Sequence, residues 1–444
     1  MALSGIQIYK LLPQTNCKDC GFPTCLAFAM KLAAKQVELA TCPHVSEASK
    51  IQLAESSAPP VRLVTLKSNG YEVKSGNEVV LFRHEKTFYN KPGLFIKVGD
   101  NETPDQIRAK ASQVDAYRVN YVGMDLAVDG FAVVSEKGDP SAFAAALSSV
   151  RECSKRPVIL VSRDPNVIAA GLQAVDGERP LIYGADATNW EAMANLAKQH
   201  QANLAVLATD QASALDQLAE TTEKIKAKGV EDIVVDPNGR NLGEDLALNT
   251  QIRRVALKKN FHPLGYPIIS FPATGAAAAQ DIAKYSGFIV LDHFAPELVY
   301  PLLVLRQNMY TDPQKPIQVQ PGLYEINNPK PEDPVLVTTN FSITYFSVAN
   351  EVESSGLPAW LLVTDAEGMS VLTAWAAGKF DAERIAKAVK GFNVADKVSR
   401  KRVVLPGHVA VLSGELEAEL PDWEIRVGPR EAVDIPAFMK QVLK

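Results

Sequence analysis

The stretch 157–186, PVILVSRDPNVIAAGLQAVDGERPLIYGAD, decides how the middle of the chain folds. An apolar run ends in Asp164, a segment of helical period follows, and a second apolar run ends in Asp186. Strands that alternate with helices in this way are typical of βαβ units, in which the two strands are parallel. The stretch therefore predicts a parallel sheet with helices packed against it.

The same unit recurs on both sides of this stretch. The apolar runs that end in polar or Gly residues are FIKVGD (95–100), YRVNYVGMD (117–125), PVILVSRD (157–164), PLIYGAD (180–186), LAVLATD (204–210), DIVVDPN (232–238), IISFPATG (268–275) and FIVLDHF (288–294). Helical segments follow several of them, at Trp190–Gln201, Gln211–Lys228 and Asn241–Lys258. About eight repeats over roughly 230 residues match the number and length of a TIM (β/α)₈ barrel, with a doubly wound open sheet as the alternative.

Proline-rich stretches flank the predicted barrel. SSAPP (56–60) and PGLYEINNPKPEDP (321–334) predict linkers, because closely spaced prolines stop both helices and strand pairing. Between the first linker and the barrel, VRLVTL (61–66) and EVVLF (78–82) predict short strands. The three predicted domains are residues 1–58, 59–325 and 326–444.

The last of these domains repeats the alternation on a smaller scale. Its apolar runs are VLVTTN (335–340), AWLLVTD (359–365), VLTAW (371–375), RVVLP (402–406), VAVLSG (409–414) and WEIRVG (423–428). Helical segments lie between them, near Ile343–Ser354 and Ala382–Lys390. This order predicts strands and helices of a small α/β domain, so that the whole chain is a multidomain α/β protein.

Composition and charge exclude several classes of function. Of the 444 residues, 47% are hydrophobic and 22% are charged, which is typical of a folded protein. The net charge of −5, from 46 Lys and Arg against 51 Asp and Glu, offers no bulk attraction to nucleic acid or anionic lipid. No apolar run approaches the roughly 20 residues of a membrane span, and the sequence shows no secretory leader. We therefore expect a cytoplasmic protein whose partners include neither nucleic acid nor membrane.

Cysteines are concentrated near the start of the sequence. Four of the five form the pattern C-x₂-C-x₄-C-x₁₆-C, at Cys17, Cys20, Cys25 and Cys42. Four thiolates bind either Zn²⁺ or an iron–sulfur cluster, and a disulfide is a poor third choice in a cytoplasmic chain. Gly21 and Pro23 in a tight loop, and Pro43 directly after the fourth cysteine, favour a [4Fe–4S] cluster.

Two predicted helices bracket this loop, at Gly5–Leu12 and Thr24–Ala40. The fifth cysteine, Cys153, lies in the helical stretch VRECSKR, far from the other four in sequence. We expect it to be a lone, half-buried thiol.

The motif NCKDCGFPTCLAFAM (16–30), followed by a barrel-length repeat and an α/β tail, resembles the large-subunit family of the corrinoid iron–sulfur protein of the anaerobic acetyl-CoA (Wood–Ljungdahl) pathway. The resemblance covers the whole chain in domain order. It implies an N-terminal [4Fe–4S] domain, a central TIM barrel and a C-terminal Rossmann-like α/β domain that binds a cobamide. It also implies a heterodimer with a smaller barrel subunit.

The resemblance further implies the role of a methyl carrier in methyltransferase reactions, rather than a stand-alone enzyme. In this family, cobalt in the Co(I) state accepts methyl from methyltetrahydrofolate through a separate methyltransferase. It then passes the methyl group to the nickel site of acetyl-CoA synthase/CO dehydrogenase. The cluster, on the four cysteines of the motif, reductively reactivates cobalt that has oxidised to Co(II).

The histidines are consistent with a cobalt that has no protein ligand. Many B12 domains ligate cobalt through D-x-H-x-x-G, and none of the six histidines stands in that pattern. His408 is the only histidine of the predicted C-terminal domain, and we expect it in a loop or at the domain surface. This matches the base-off cobamide of the family.

The cobamide contacts are expected in loops at the carboxyl ends of the C-terminal strands, where α/β domains bind ligands. The predicted contact residues are Thr339, Asn340, Phe341, Phe346, Gly368, Met369, Ser370, Val371, Leu372, Thr373, Leu405, Gly407, Leu412, Gly414, Gly428, Pro429, Arg430, Glu431 and Ala432. Thr373 is the residue expected nearest the lower face of cobalt. An ordinary strand-to-helix turn is the alternative explanation of each loop. Of the aromatic residues Trp360, Trp375 and Trp423, we expect at least two in the core.

Polar residues also end the predicted barrel strands. They are Asp125, Asp164, Asp186, Asp210, Asp236, Asn238 and Asp292. TIM-barrel enzymes keep their catalytic groups at such positions, so a folate site is conceivable. Helix capping is the stronger explanation of Asp and Asn there, and the resemblance assigns folate chemistry to a separate enzyme.

Two other functions stay open from the residues alone. One is a ferredoxin-type electron-transfer subunit whose C-terminal domain binds a flavin or nucleotide, although this domain lacks a well-placed G-x-G-x-x-G. The other is a barrel methyltransferase with a structural metal.

Overall fold

The computed structural model describes residues 5–33, 36–46, 49–50, 53, 59–121, 123–239, 241–311 and 317–443. The chain divides into two compact units. The first comprises Met1–Tyr117 with Ala127–Tyr310, and the second comprises Arg118–Leu126 with Thr311–Lys444. The three domain boundaries that the sequence suggests remain predictions.

Helices and strands alternate through most of the described chain. The strands are β1 (Val64–Ser68), β2 (Tyr71–Ser75), β3 (Gly93–Gly99), β4 (Val119–Tyr121), β5 (Met124–Leu126), β6 (Gly130–Val134), β7 (Val158–Val161), β8 (Leu181–Ala185), β9 (Asn203–Leu207), β10 (Ile233–Asp236), β11 (Ile268–Ser270), β12 (Ser286–Leu291), β13 (Gly322–Ile326), β14 (Val335–Thr339), β15 (Ala359–Thr364), β16 (Arg402–Leu405) and β17 (Glu424–Val427). The helices are α1 (Gly5–Leu11), α2 (Cys25–Ala33), α3 (Pro104–Ala116), α4 (Pro140–Cys153), α5 (Pro165–Ala174), α6 (Trp190–Gln199), α7 (Ala214–Ala227), α8 (Leu242–Lys259), α9 (Gly275–Ala283), α10 (Pro296–Met309), α11 (Ser342–Ser355), α12 (Val371–Ala376), α13 (Ala382–Gly391), α14 (Val394–Lys397), α15 (Ser413–Glu419) and α16 (Ile435–Gln441). Within the described ranges, none of the helices is both long and apolar enough to span a membrane.

Eight of these strands close into a parallel barrel. The order around the ring is β3-β6-β7-β8-β9-β10-β11-β12, and β12 pairs with β3 to complete it. Fully buried side chains, among them Phe95, Ile159 and Phe288, fill the interior. The predicted TIM barrel is confirmed, and the open sheet is wrong.

Side chains in the loops fix where several barrel helices begin. Thr103 and Gln106 form a reciprocal capping box at the start of α3. Asp139 accepts hydrogen bonds from the N–H groups of Ser141 and Ala142 at the start of α4. In α3, α4 and α5 a proline occupies the first turn, where its missing N–H has no cost.

One predicted barrel strand is wrong. YRVNYVGMD (117–125) contains the antiparallel hairpin β4–β5 of the second unit, and β6 takes its place between β3 and β7. Gly123 makes the hairpin turn at φ +79°, and the side chains of Asn120 and Asp125 hydrogen-bond at 3.1 Å. Residues of β4 and β5 are partly exposed, whereas β6 is almost entirely buried, as a strand covered on both faces has to be.

The segment EVVLF (78–82) does not form a strand. Its first residue, Glu78, instead pairs with Arg253 of α8, with 2.8 Å between Oε2 and Nη2. The strand predicted in VRLVTL is confirmed in part, because its last three residues begin β1 of the hairpin β1–β2. Val64 and Leu66 of this hairpin pack against the barrel interior.

The second unit is built on a five-stranded sheet of order β13-β15-β14-β16-β17. Strand β13 is antiparallel to β15, and the other neighbours are parallel. One face of the sheet packs against α11 and α16, through residues such as Val352 and Met439. The other face packs against α13 and α15, through Ile385 and Leu416. The predicted α/β alternation is thus present, with helices on both faces.

Two predicted strands of this unit are helical. VLTAW (371–375) forms α12, and VAVLSG (409–414) lies in a 3₁₀ turn, Gly407–Leu412, that runs into α15. In α12, Val371 and Ala374 are buried while the residues between them are exposed, which is helical spacing. A short apolar run does not by itself distinguish a strand from a buried helical turn.

The predicted linkers have different outcomes. Inside the linker predicted at 321–334, residues 322–326 form β13 and keep a continuous five-residue register with β15. That part of the linker prediction is wrong. The flanking prolines do not prevent strand pairing here, because β13 is an edge strand, and edge strands tolerate proline. Of the first predicted linker, residues 56–58 lie outside the described residues.

The N-terminal segment forms two helices around a small apolar core. Helix α1 ends within one residue of its predicted end. The helix predicted at Thr24–Ala40 is too long: α2 ends at Ala33, residues 36–38 are not helical, and a 3₁₀ turn spans Leu39–Thr41. Ile8, Phe28 and Val45 are buried in this core.

Replacement of Arg253 by Met should destabilise the barrel strongly. The side chains of Arg253 and Glu78 are 6% and 9% exposed, so the substitution leaves a buried carboxyl without its partner. We expect the free energy of unfolding to fall by about 3–5 kcal/mol, measured by denaturant titration. The matched control is Lys224→Met, which removes an exposed i,i+4 ion pair with Glu220 and should leave the midpoint unchanged. Equal effects of the two variants would contradict a stabilising role for the buried pair.

Candidate functional site

The four clustered cysteines lie on the N-terminal core in graded exposure. Cys25 and Cys42 are buried within it, Cys20 packs against it at intermediate exposure, and Cys17 is exposed. The fifth, Cys153, ends helix α4 at intermediate exposure, as predicted for a lone thiol. Cysteines 25 and 42 therefore belong both to the proposed ligand set and to the core of the segment.

The loop before α2 has an unusual backbone. Gln14, Asn16, Lys18 and Gly21 all have positive φ, between 49° and 80°. Left-handed residues interspersed with others turn successive N–H groups toward one side, which is how backbone nests bind anionic groups, including iron–sulfur clusters. The Asn16 Oδ1 accepts the N–H of Cys25 at 2.8 Å and so ties the loop to the helix. This donor set and backbone fit the predicted cluster.

A charged pair lies beside Cys17. The carboxylate Oδ2 of Asp19 is 2.6 Å from Nε2 of His44, and hydrogen bonds from His44 and Cys17 hold the pKa of Asp19 below its usual value. The possible ligand atoms of the three residues lie within 4.8 Å of one another. The sequence gave no signal for this pair, because 25 positions separate Asp19 from His44.

A cavity of about 360 Å³ opens at the carboxyl ends of β14 and β16. The connection after β14 runs through α11 on one face of the sheet, and the connection after β16 runs through α15 on the other. Strand order reverses at this point, and open α/β sheets bind ligands in the crevice that results. The second unit thus has a cavity where the strand pattern predicts a ligand site.

Nine of the predicted contact residues line this cavity. They are Ser370, Val371, Leu372, Leu405, Gly428, Pro429, Arg430, Glu431 and Ala432. The predicted residues that do not line it are Thr339, Asn340, Phe341, Phe346, Gly368, Met369, Thr373, Gly407, Leu412 and Gly414. The loops after β15 and β17 are therefore brought together, and the loop after β14 contributes through other residues.

Asn340 has a structural role next to the cavity. It is 1% exposed, and its Oδ1 accepts the N–H groups of Ala366 and Gly368 at 2.9 and 3.0 Å. Gly368 has a φ of +73°, which suits the tight turn that these bonds close. Asn340 thus shapes the loop that leads to Ser370, and does not face the cavity itself.

Gly407 also acts through the backbone. A Cβ at this position would lie 2.5 Å from the carbonyl oxygen of Gly428, and the Gly407 N–H donates to the carbonyl of Pro429 at 2.9 Å. The absence of a side chain lets two loops of the cavity wall meet. Gly414 is exposed with open space around it, and Leu412 is buried in the core.

The remaining predicted contacts have varied surroundings. Thr373 is exposed on α12, with its hydroxyl 3.0 Å from that of Ser370. Phe346 is 40% exposed and stacks edge-on against Tyr345. Met369 packs against the core of the second unit.

The predicted contacts do not include Ile343, Thr344, Ser347 and His408, which line the cavity. Thr338, beside the predicted Thr339, lines it as well. Thr338 is fully buried, and its Oγ1 has no hydrogen-bond partner within the part of the chain that the structure describes. His408 is exposed within the 3₁₀ turn Gly407–Leu412, with its Nε2 3.6 Å from Oε1 of Glu431, which agrees with the predicted position at the domain surface.

The aromatic residues follow the expectation that at least two lie in the core. Trp360 is 5% exposed and donates its Nε1–H to the carbonyl of Lys330 at 3.1 Å. Trp423 packs against the same core, whereas Trp375 is 42% exposed.

The polar residues at the barrel strand ends mostly serve the backbone. Asp164 and Asp210 cap the helical turns that follow them, which confirms the capping interpretation for these two. Asp186 accepts the Thr188 N–H at 2.7 Å and pairs with Arg163. Oδ1 of Asp292 lies 3.5 Å from Nζ of Lys97. Asp125 is on the β4–β5 hairpin rather than at a barrel strand end.

Asp236 differs from these because it is almost completely buried. It accepts the Asn238 N–H and the Tyr183 hydroxyl, both at 2.7 Å, and burial raises its pKa to about 6. Both oxygens are thus occupied by the chain itself, which gives no support to a folate site.

Two family models match the sequence. Residues 63–439 match the family described as CO dehydrogenase/acetyl-CoA synthase delta subunit, and residues 12–44 match the family described as "Putative Fe-S cluster". The second match includes all four clustered cysteines.

Similar proteins align over almost the entire chain. The chain is 43% identical to the corrinoid/iron-sulfur protein large subunit of Moorella thermoacetica, with 99% of each chain covered. It is 34% identical to the acetyl-CoA decarbonylase/synthase complex subunit gamma of Methanopyrus kandleri, with 99% of this chain and 98% of the relative covered. A solved dihydropteroate synthase from Thermus thermophilus is 17% identical at a TM-score of 0.39, with 56% of this chain and 99% of that chain covered.

Replacement of Asn340 by Ala should loosen the loop beside the cavity. The substitution leaves two buried N–H groups unpaired, so we expect a loss of about 2–4 kcal/mol in the free energy of unfolding of the second unit. Hydrogen exchange of the Ala366 and Gly368 amides should accelerate first. Asn350→Ala, at an exposed position of α11, is the control and should exchange like the wild type. Unchanged protection in the Asn340 variant would contradict its structural role.

Proposed function

We propose that this chain carries methyl groups on a bound cobamide, because it belongs to the family that contains the corrinoid/iron-sulfur protein large subunit and the gamma subunits of acetyl-CoA decarbonylase/synthase complexes. The observation that carries the proposal is the cavity at the carboxyl ends of β14 and β16, on a chain that also holds the four-cysteine loop. When bound, the cobamide supplies a cobalt atom that accepts and donates methyl, and the cluster supplies the single electrons that keep cobalt reduced.

The cavity is suited to part of a cobamide rather than to the whole of it. Its volume is that of a small-ligand pocket, so it would hold a side arm or the nucleotide portion. Ile343 and Leu372 line it while being 64% and 47% exposed, which leaves an apolar surface for a flat macrocycle. The Rossmann-like description of this domain is part of the proposal.

Polar groups in the cavity would orient the cofactor. The hydroxyl of Thr338 is buried and unpaired among the described residues, so a hydrogen bond from a cofactor amide or hydroxyl would satisfy it. Ile343 and Thr344 belong to the first turn of α11, whose free N–H groups suit a phosphate. Arg430, exposed at the rim, adds a positive charge near the same opening.

We propose that the cofactor binds without a histidine below the metal. The only histidine in the described part of the second unit is His408, which lacks the D-x-H-x-x-G pattern and lies beside Glu431. Absence of axial donation favours the low oxidation states of a metal, and a methyl carrier needs the lowest one. Two exposed predicted contacts that do not line the cavity, Thr373 and Phe346, remain part of this proposal as residues near the macrocycle.

The cluster ligands in this proposal are Cys17, Cys20, Cys25 and Cys42. Two are buried and one is exposed, so electrons can leave the cluster while the core protects it. Zinc on the same four cysteines remains the competing assignment.

The reaction partners are proposals of the same kind. The donor would be methyltetrahydrofolate, acting through a separate methyltransferase, and the acceptor would be the nickel site of acetyl-CoA synthase/CO dehydrogenase. The names of the relatives describe a large subunit and a complex subunit, which supports a heterodimer with a smaller subunit. Such a carrier would work in the cytoplasm.

Anaerobic purification and Cys20→Ala test the cofactor assignment together. We expect about four irons and one cobalt per wild-type chain, with corrin bands in the visible spectrum. Cys20→Ala should lose the iron and reductive reactivation but keep cobalt, and should accept methyl when its cobalt is reduced beforehand. Cys153→Ala is the matched control and should keep both metals. Zinc without iron, or flavin bands without cobalt, would contradict the assignment.

A large side chain in the cavity should block cobamide binding. Ser347 lines the cavity from α11, so Ser347→Trp fills it without disturbing the buried core. We expect at least a 10-fold loss of cobamide affinity, measured by optical titration of the cofactor-free chain. Asn350→Trp, three residues further along the same helix and outside the cavity lining, should bind like the wild type. Equal affinity of the wild type and the two variants would mean that cobamide binds outside this cavity.

A further inference from the structure

The pair Asp19–His44 joins the two ends of the cysteine pattern. Asp19 lies between the first two cysteines of the chain, and His44 lies two residues after the fourth. The carboxylate of Asp19 accepts a hydrogen bond from His44, and the ligand atoms of both residues lie within 4.8 Å of the Cys17 sulfur. A sulfur that is a predicted cluster ligand therefore lies directly beside a carboxylate whose charge is shared with an imidazole.

Cys17, Asp19 and His44 also resemble a metal site of their own, since their ligand atoms lie within 4.8 Å of one another. Cys17 cannot serve two centres, however. Cys20, Cys25 and Cys42 all lie on the N-terminal core, and four thiolates are the set that a cluster needs. Asp19 and His44 are then left as neighbours of the Cys17 sulfur.

We propose that Asp19 and His44 act as an opposed pair that sets the reduction potential of the cluster. This inference rests on the proposed function, because it presupposes a cluster on the four cysteines. A carboxylate beside a ligand sulfur disfavours the extra negative charge of the reduced cluster and lowers its potential. The N–H that His44 donates to Asp19 draws part of this charge away from the sulfur and raises the potential.

His44 is a positioning residue in this arrangement, since it acts through Asp19. The side chains of His44 and Asp19 are 49% and 54% exposed, so water and salt reduce the effect of each. Both groups remain within a few ångströms of Cys17, where screening by salt is incomplete. The two residues should therefore shift the potential in opposite directions.

The experiment is a redox titration of the reconstituted full-length protein, followed by the electron paramagnetic resonance signal of the reduced cluster. Asp19→Asn should raise the midpoint potential, and His44→Ala should lower it. The double variant should match Asp19→Asn, because without the carboxylate His44 has no charge to mask. His44→Gln keeps an N–H donor and should return to the wild-type potential. His293→Ala removes an exposed histidine of the first unit and is the matched control.

Shifts of the same sign in the two single variants, additive shifts in the double variant, or no shift at all would overturn the proposal. If His44→Ala does not retain its cluster, the direction of the potential shift in Asp19→Asn decides alone. An unchanged or lowered midpoint potential in that variant overturns the proposal. Wild-type protein that takes up no iron would refute the cluster itself. That result would defeat the proposed function, so the two failures are distinguishable.

Discussion

The candidate binding site depends on one constraint: the chain leaves the neighbouring strands β14 and β16 toward opposite faces of the sheet. After β14 the chain crosses one face of the sheet through α11, and after β16 it crosses the other through α15. No helix can cover the carboxyl ends of both β14 and β16 when their connections part in this way. The crevice is thus a product of topology, and the side chains around it only determine its chemistry.

A different constraint governs the first residues of the chain. The N-terminal core contains few large apolar side chains, and two of its buried residues are Cys25 and Cys42. So small a core stabilises little by itself, and a bound metal contributes its binding free energy to folding. Structural and electronic roles of these cysteines are therefore not alternatives. The left-handed backbone at Asn16 and Lys18 is more easily explained if an anionic group stabilises it.

Much of the fold follows from the sequence, because buried parallel strands are continuous apolar runs. Seven of the eight predicted barrel strands are confirmed, and the failure at 117–125 arises because an exposed hairpin shows the same alternation over a few residues. The site is predictable where it depends on loops after strands, as at Leu372 and Arg430. Ile343 and Ser347 could not be found, since their orientation depends on the rotation of α11. His44 was missed because only folding brings it to Asp19.

The meeting of Gly407 with Gly428 and Pro429 has a consequence for redesign of the cavity. On that side the wall is main chain, held by hydrogen bonds from Gly407 to Pro429 and from Gly428 to Leu405. A substitution changes side chains and leaves the backbone in place. A wider cavity for larger synthetic macrocycles therefore requires smaller side chains on α11 and α12. The main-chain wall formed by these two loops is fixed, and any new ligand has to fit against it.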